Sequence, residues 1–200
     1  MAEERAGELR LFVACALPDD VRRALGRVQD DLRRLGADRL RWVRPEAIHI
    51  TLKFLGGVAA ARVAEITSAL DDAIAPFELR LRPSELGGFG GSSLRVVWVG
   101  LEGDVQGLSE LAGRVEAALE PLGFPRERRA FAPHVTLARV PDQLPASLRR
   151  GLPDLVARYR PPPLPPMILR EVQLMRSVLG PGGSAYHRLA TFPRPGGSGS

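Results

Sequence analysis

The 200-residue chain has one cysteine, one lysine and three histidines, and each shortage removes a class of explanation. A single cysteine, Cys15, allows no internal disulfide, which fits a reducing cytosol. Its apolar surroundings make it a small core residue. No run of eighteen apolar residues exists, so no transmembrane helix is expected. The start, Met1–Gly7, is acidic and polar, the wrong character for a secretory signal. Lys53 is the sole lysine among 28 basic residues. The glycine-rich stretch Gly87–Gly91 lacks the Lys-Ser/Thr ending of a nucleotide P-loop and reads as a turn.

What remains is the composition of a globular protein, with 44% hydrophobic and 26% charged residues. Two hundred residues suffice for one good core, or for two small lobes sharing one. Net charge is +5, carried almost wholly by arginine, whose planar fork matches phosphate oxygens. A weakly basic surface suits an anionic partner, nucleic acid included. GC-rich coding sequence accounts for the larger share of the arginine bias.

Hydrophobic patterning predicts a strand at Leu9–Leu17 and a helix opening at Pro18-Asp19-Asp20 and stopping at Gly36. An extended piece at Leu40–Val43 follows, then a strand at Ala47–Leu55 closed by Gly56-Gly57. A helix over Ala60–Ile74 precedes strands at Phe77–Leu81 and Leu94–Leu101. Gln106–Leu119 reads as helix, Phe131–Val140 as strand and Pro145–Arg158 as a short helix. Met167–Arg176 and Tyr186–Phe192 are the last strands, joined by a turn at Gly180–Gly183. The order predicts a mixed α/β (α+β) fold with largely antiparallel sheets and helices on the outer faces. The proline run Pro161–Pro166 reads as a stiff connection. Residues 8–192 are expected to form one two-lobed domain, with 193–200 a disordered tail.

Two segments nearly repeat each other: His49-Ile50-Thr51-Leu52 and His134-Val135-Thr136-Leu137, 85 positions apart. Each falls in a predicted strand, where residues i and i+2 share a face. His49 then projects with Thr51, and His134 with Thr136. One His-x-Thr on a strand is a weak signal, because threonine is a common strand residue and histidine is tolerated there. Two copies that use two of three histidines, each followed by leucine, indicate a duplicated half-site. Facing strands would gather two imidazoles and two hydroxyls, the inventory for acid–base chemistry on a phosphate. Lys53, two residues beyond Thr51, is placed by the same alternation on that face. His187 reads as a surface or edge residue. Phe12 and Trp42 read as core packing rather than base-stacking rings.

On these residues the chain resembles the two-histidine phosphoesterases, and among them the RNA 2′,3′-cyclic phosphodiesterases, also called 2′–5′ RNA ligases. The resemblance spans Leu9 to Leu189. It rests on Arg10–Ala14, on Arg41-Trp42-Val43 with Pro45, and on His49-Ile50-Thr51-Leu52-Lys53-Phe54-Leu55-Gly56. Val97-Trp98-Val99-Gly100, Phe131-Ala132-Pro133-His134-Val135-Thr136-Leu137-Ala138-Arg139 and Tyr186 with Leu189 carry the rest. It implies a two-lobed fold with a pseudo-twofold central cleft and hydrolysis of an RNA 2′,3′-cyclic phosphate end to a 2′-phosphate. It implies His49 as proton donor, His134 as proton acceptor, and Thr51, Thr136 and Arg139 as phosphate-binding residues. The near-symmetry of the motifs leaves acid and base interchangeable on the residues alone. No metal and no cofactor is expected: a catalytic zinc takes three protein ligands, and His187 does not complete a set. The implied partner is RNA, for a cytoplasmic monomer with no obligate protein partner. Three other readings stand beside this one: 2′–5′ ligation in the reverse direction, a non-catalytic RNA-binding module, and a two-histidine enzyme acting on a small nucleotide.

Overall fold

A computed structural model of the chain describes residues 7–90, 93–180 and 183–194. The expected tail from residue 195, and the middle of the expected turn at Gly180–Gly183, lie outside the described residues.

Among the described residues, nine strands and four α-helices alternate along the chain. Strand β1 (Glu8–Ala16) leads into helix α1 (Asp19–Leu32), then strands β2 (Arg41–Trp42) and β3 (His49–Ala59). Helix α2 (Val63–Ala73) is followed by β4 (Leu79–Phe89), β5 (Val96–Gly103), α3 (Val105–Leu119) and β6 (His134–Arg139). Helix α4 (Ala146–Arg158) precedes β7 (Met167–Leu169), β8 (Val172–Gly180) and β9 (Gly183–Phe192). The strands form two sheets, in the orders β3-β1-β8-β9 and β2-β6-β5-β4-β7, and every pairing is antiparallel. The mixed α/β class and the antiparallel sheets expected from the sequence are present.

Helices close the sheet faces through regular apolar stripes. In α1, Val21, Ala24, Leu25, Val28 and Leu32 are buried at helical spacing. In α3 the stripe is Leu108, Leu111, Ala112, Val115 and Leu119. Each such large side chain contributes about 1.5–3 kcal/mol by leaving water. Helix α1 begins with Asp19 and Asp20 in its first turn, where acids suit the helix dipole. It ends in a widened turn around Gly36, whose φ of 103° favours glycine.

Three expectations need correction. Strand β3 runs past Gly56-Gly57 to Ala59, because Gly56, at φ 74°, continues the pairing with β1 through an irregularity instead of ending it. The glycines of Gly87-Gly88-Phe89 lie within β4 and pair with β5, so this part of the expected turn is strand. Gly87 is needed there: a Cβ would sit 2.2 Å from the Trp98 ring. Finally, Met167–Arg176 is two strands in different sheets. β7 pairs with β4 and β8 with β1, so Arg170-Glu171 carries the chain from one sheet to the other.

The motif strands occupy matching places. β3 is an edge of the four-stranded sheet; β6 is flanked on its outer side only by the two-residue β2. β3 and β6 also approach each other, so the sheets meet along the two strands that carry the histidines.

Candidate active site

Register decides which side chains share the site. On β1, alternate residues Phe12, Ala14 and Ala16 occupy one face, and their β3 partners are Phe54, Thr51 and His49. On β5, Val96, Trp98 and Gly100 share a face, and their β6 partners are Arg139, Thr136 and His134. His49 and Thr51 therefore lie together, as do His134 and Thr136. Arg139 belongs with the second pair. It lies three positions beyond Thr136, which in a regular strand would turn it to the opposite face. A bulge at Leu137, which has no β5 partner, restores it.

The same device corrects the expectation for Lys53. Leu52 is unpaired on β1, so Lys53 pairs with Val13 on the helix-facing side and Phe54 takes the site face. Lys53 Nζ donates to Glu116 Oε2 on α3 at 2.5 Å and to the Pro125 carbonyl at 2.8 Å. Its side chain is 2% exposed. The lone lysine thus ties β3 to α3 beneath the sheet and does not reach the site.

Each histidine is held in the same way. Nδ1 of His49 lies 2.8 Å from the Ala47 carbonyl oxygen, and Nδ1 of His134 lies 2.7 Å from that of Ala132. A carbonyl only accepts, so Nδ1 carries the hydrogen in both rings. Nε2 is left free to take or give a proton. Each ring is also packed by two aromatics. Phe12 and Tyr186 lie 4.8 and 5.2 Å from His49, and Phe89 and Trp98 lie 4.9 and 6.2 Å from His134, between ring centroids. Neither Thr51 nor Thr136 uses its hydroxyl in a hydrogen bond among the described residues, and both are half-buried.

Burial among Phe12 and Tyr186 pushes the His49 pKa below its usual 6.5; the Ala47 hydrogen bond opposes this, and the charges of Arg139 and His134 add to the lowering. Free of ligand, His49 is poised neutral. An anion seated among His49, His134 and Arg139 opposes this lowering by charge attraction and favours the protonated form of His49. The arrangement offers two imidazoles, two hydroxyls and a guanidinium, groups able to hydrogen-bond an anion and to give or take a proton.

The other candidates fall elsewhere. His187 is exposed and pairs with Arg176, on the face opposite Tyr186. Trp42 donates Nε1–H to the Ala37 carbonyl at 3.0 Å and packs under the Arg33 guanidinium. Phe12 is 3% exposed, a packing ring against His49 and not a stacking platform. A surface hollow of about 920 Å³ lined by Pro18, Arg80, Arg82 and Met167 shares no residue with the histidine site.

The model of the 2′-5′ RNA ligase superfamily matches residues 17–181. The chain belongs to that superfamily. Within this family of two-histidine phosphoesterases, it is 33% identical over 186 residues to an RNA 2′,3′-cyclic phosphodiesterase of Archaeoglobus fulgidus, covering 92% of this chain and 99% of that protein. It is 30% identical over 179 residues to an RNA 2′,3′-cyclic phosphodiesterase of Methanocaldococcus jannaschii, covering 89% and 96%. A solved structure from Thermus thermophilus superposes with TM-score 0.68 at 29% identity, over 92% of this chain and 97% of that one. E. coli LigT complexed with 3′-AMP superposes with TM-score 0.69 at 25% identity, over 92% and 97%. No described helix is long and apolar enough to cross a membrane.

Sequence reasoning missed Phe89, Trp98 and Phe54 as parts of this candidate site. The signal for the first two was the repeat itself: two equivalent histidines need equivalent packing, and Phe89 flanked by glycines was the unexplained aromatic. Phe54 follows only from the bulge, which leaves no mark in residue types.

Proposed function

We propose that this chain hydrolyses RNA 2′,3′-cyclic phosphate ends to 2′-phosphates without a metal, using the two His-x-Thr motifs. The observation that carries the reading is the paired arrangement. Two histidines on meeting strands each have Nδ1 anchored to the carbonyl two residues back and a threonine two residues on, sharing its face. In the reaction His134 Nε2 takes a proton from water, whose oxygen attacks phosphorus. The bond from phosphorus to O3′ breaks, and His49 Nε2 supplies the proton to O3′. Attack and departure are in line, so acid and base must approach from opposite sides, as two strands allow and one does not. Thr51 and Thr136 hydroxyls donate to the non-bridging oxygens, and Arg139 adds charge where it accumulates.

The assignment of His49 as acid follows the superfamily resemblance. It requires the bound phosphate to raise the proton affinity that burial depresses. Residues 8–192 act in this reading as one two-lobed catalytic unit, a cytoplasmic monomer whose partner is RNA.

The test is hydrolysis of a nucleoside 2′,3′-cyclic phosphate in EDTA by wild type, His49→Ala and His134→Ala, with 2′- and 3′-phosphates resolved. Formation of 2′-phosphate, lost by about 100-fold or more in each variant, is expected for acid and base roles. Activity that survives either substitution, or no turnover by wild type, overturns the reading.

A further inference from the structure

The two motif strands use the same bulge for different ends. After Thr51 the bulge at Leu52 brings Phe54 to the site face; after Thr136 the bulge at Leu137 brings Arg139. One wall of the cleft therefore ends in a ring that is 59% exposed, the other in a guanidinium. On its far side Arg139 pairs across strands with Arg41 of β2, so the two arginines share the site face.

That juxtaposition is costly in an empty protein, because like charges directly opposite each other repel. Other arginines avoid the difficulty by pairing with carboxylates, as Arg33 does with Asp30 and Arg170 with Glu78. Arg41 and Arg139 make no ion pair or hydrogen bond among the described residues, and both are exposed. Two adjacent unpaired guanidiniums on a two-residue edge strand and its neighbour suit an anion. The reacting phosphate is already met by the histidines, the threonines and Arg139. Arg41 stands one strand further out, about 4.8 Å beyond Arg139, far enough to meet a neighbouring phosphate of the same RNA strand.

We propose that Arg41, set directly across from Arg139, forms a second anion subsite, which takes the phosphodiester immediately upstream of the reacting cyclic phosphate. The inference rests on the reading under Proposed function and adds a substrate class to it: RNA ends of two or more nucleotides, ahead of mononucleotides. Arg41 acts here in binding and takes no part in bond making or breaking.

The test compares kcat/KM for three substrates in wild type, Arg41→Ala and Arg41→Lys. They are a nucleoside 2′,3′-cyclic phosphate, a dinucleotide ending in it, and the same dinucleotide with a neutral methylphosphonate upstream. Wild type should prefer the charged dinucleotide over both others. Arg41→Ala should lower the ratio of charged dinucleotide to mononucleotide by about 10- to 100-fold, the range for charge-assisted hydrogen bonds. Arg41→Lys should recover part of it. An unchanged ratio in Arg41→Ala, no discrimination against the methylphosphonate, or an equal loss on all three substrates overturns the second subsite while wild-type turnover leaves the catalytic reading standing. No turnover of any substrate by wild type overturns both.

Discussion

Replacing Glu116 by leucine tests whether Lys53 belongs to the scaffold. The Lys53 ammonium is sealed, with its side chain 2% exposed, and has two hydrogen-bond partners: the Glu116 carboxylate at 2.5 Å and the Pro125 carbonyl at 2.8 Å. Glu116→Leu leaves that ammonium buried against one neutral carbonyl. Removing one partner of a buried pair costs about 3–5 kcal/mol, because the surviving charge has neither water nor counter-charge. The converse substitution, Lys53→Met, costs less. The Glu116 side chain is 13% exposed, so its carboxylate lies closer to water than the ammonium does. Replacing both partners together, Lys53→Met with Glu116→Leu, removes the desolvation along with the attraction. It should fall near wild type or above it. For a chain of this size each kcal/mol moves Tm by roughly 2–4 °C, so Glu116→Leu alone should lower Tm by roughly 6–20 °C and the double variant should recover it. Urea unfolding with m held constant gives the free energies, and the double-mutant cycle gives the coupling. Folded double variant should turn over cyclic phosphate like wild type. A Glu116→Leu cost below about 1 kcal/mol would refute the burial argument. A double variant that is stable but inactive would return Lys53 to the site.

Other outcomes follow from the same geometry. Gly87→Ala drives a Cβ to 2.2 Å from the Trp98 ring, which packs His134; a stability loss of about 1–3 kcal/mol should come with a fall in kcat, and wild-type values for both would contradict the packing. The His49 ring should titrate below 6.5 by NMR and move upward when inorganic phosphate is added. Between that lowered folded value and the ordinary one near 6.5, the unfolded chain holds the proton and the folded chain does not. The His49 contribution to stability is therefore fully present above pH 6.5, falls as pH drops through it, and levels off below the folded pKa; a wild-type-minus-His49→Ala difference that rises on acidification would reverse the sign. Burial, with a smaller push from Glu171, raises the Cys15 thiol to about 12, so native protein should resist thiol reagents that label it in urea.

The fold class and the paired motifs were legible because they depend on periodicity and repetition, which residue types record directly. Strict alternation also places His49 with Thr51, and His134 with Thr136, without any structure. Alternation fails two residues later, and it fails identically in both halves. An unpaired leucine, Leu52 or Leu137, shifts the pleat by one residue, so position i+2 after threonine turns inward and i+3 turns to the cleft. At i+2 the inward position is filled by buried Ala138 in one half and by Lys53 in the other, where the ammonium then requires Glu116. At i+3 the outward position holds Arg139 in one half and Phe54 in the other. What fixes the second bulge is a long-range contact: Gln29, fully buried on α1, donates Nε2–H to the Leu137 carbonyl at 3.0 Å and to the Val43 carbonyl at 2.7 Å, and the Val43 amide donates to the same Leu137 oxygen at 2.9 Å. No local pattern at Leu137 announces a partner 108 residues away. The duplicated motif is thus written in the strands themselves, while the features that distinguish the two halves of the site depend on which side of a bulge each residue falls.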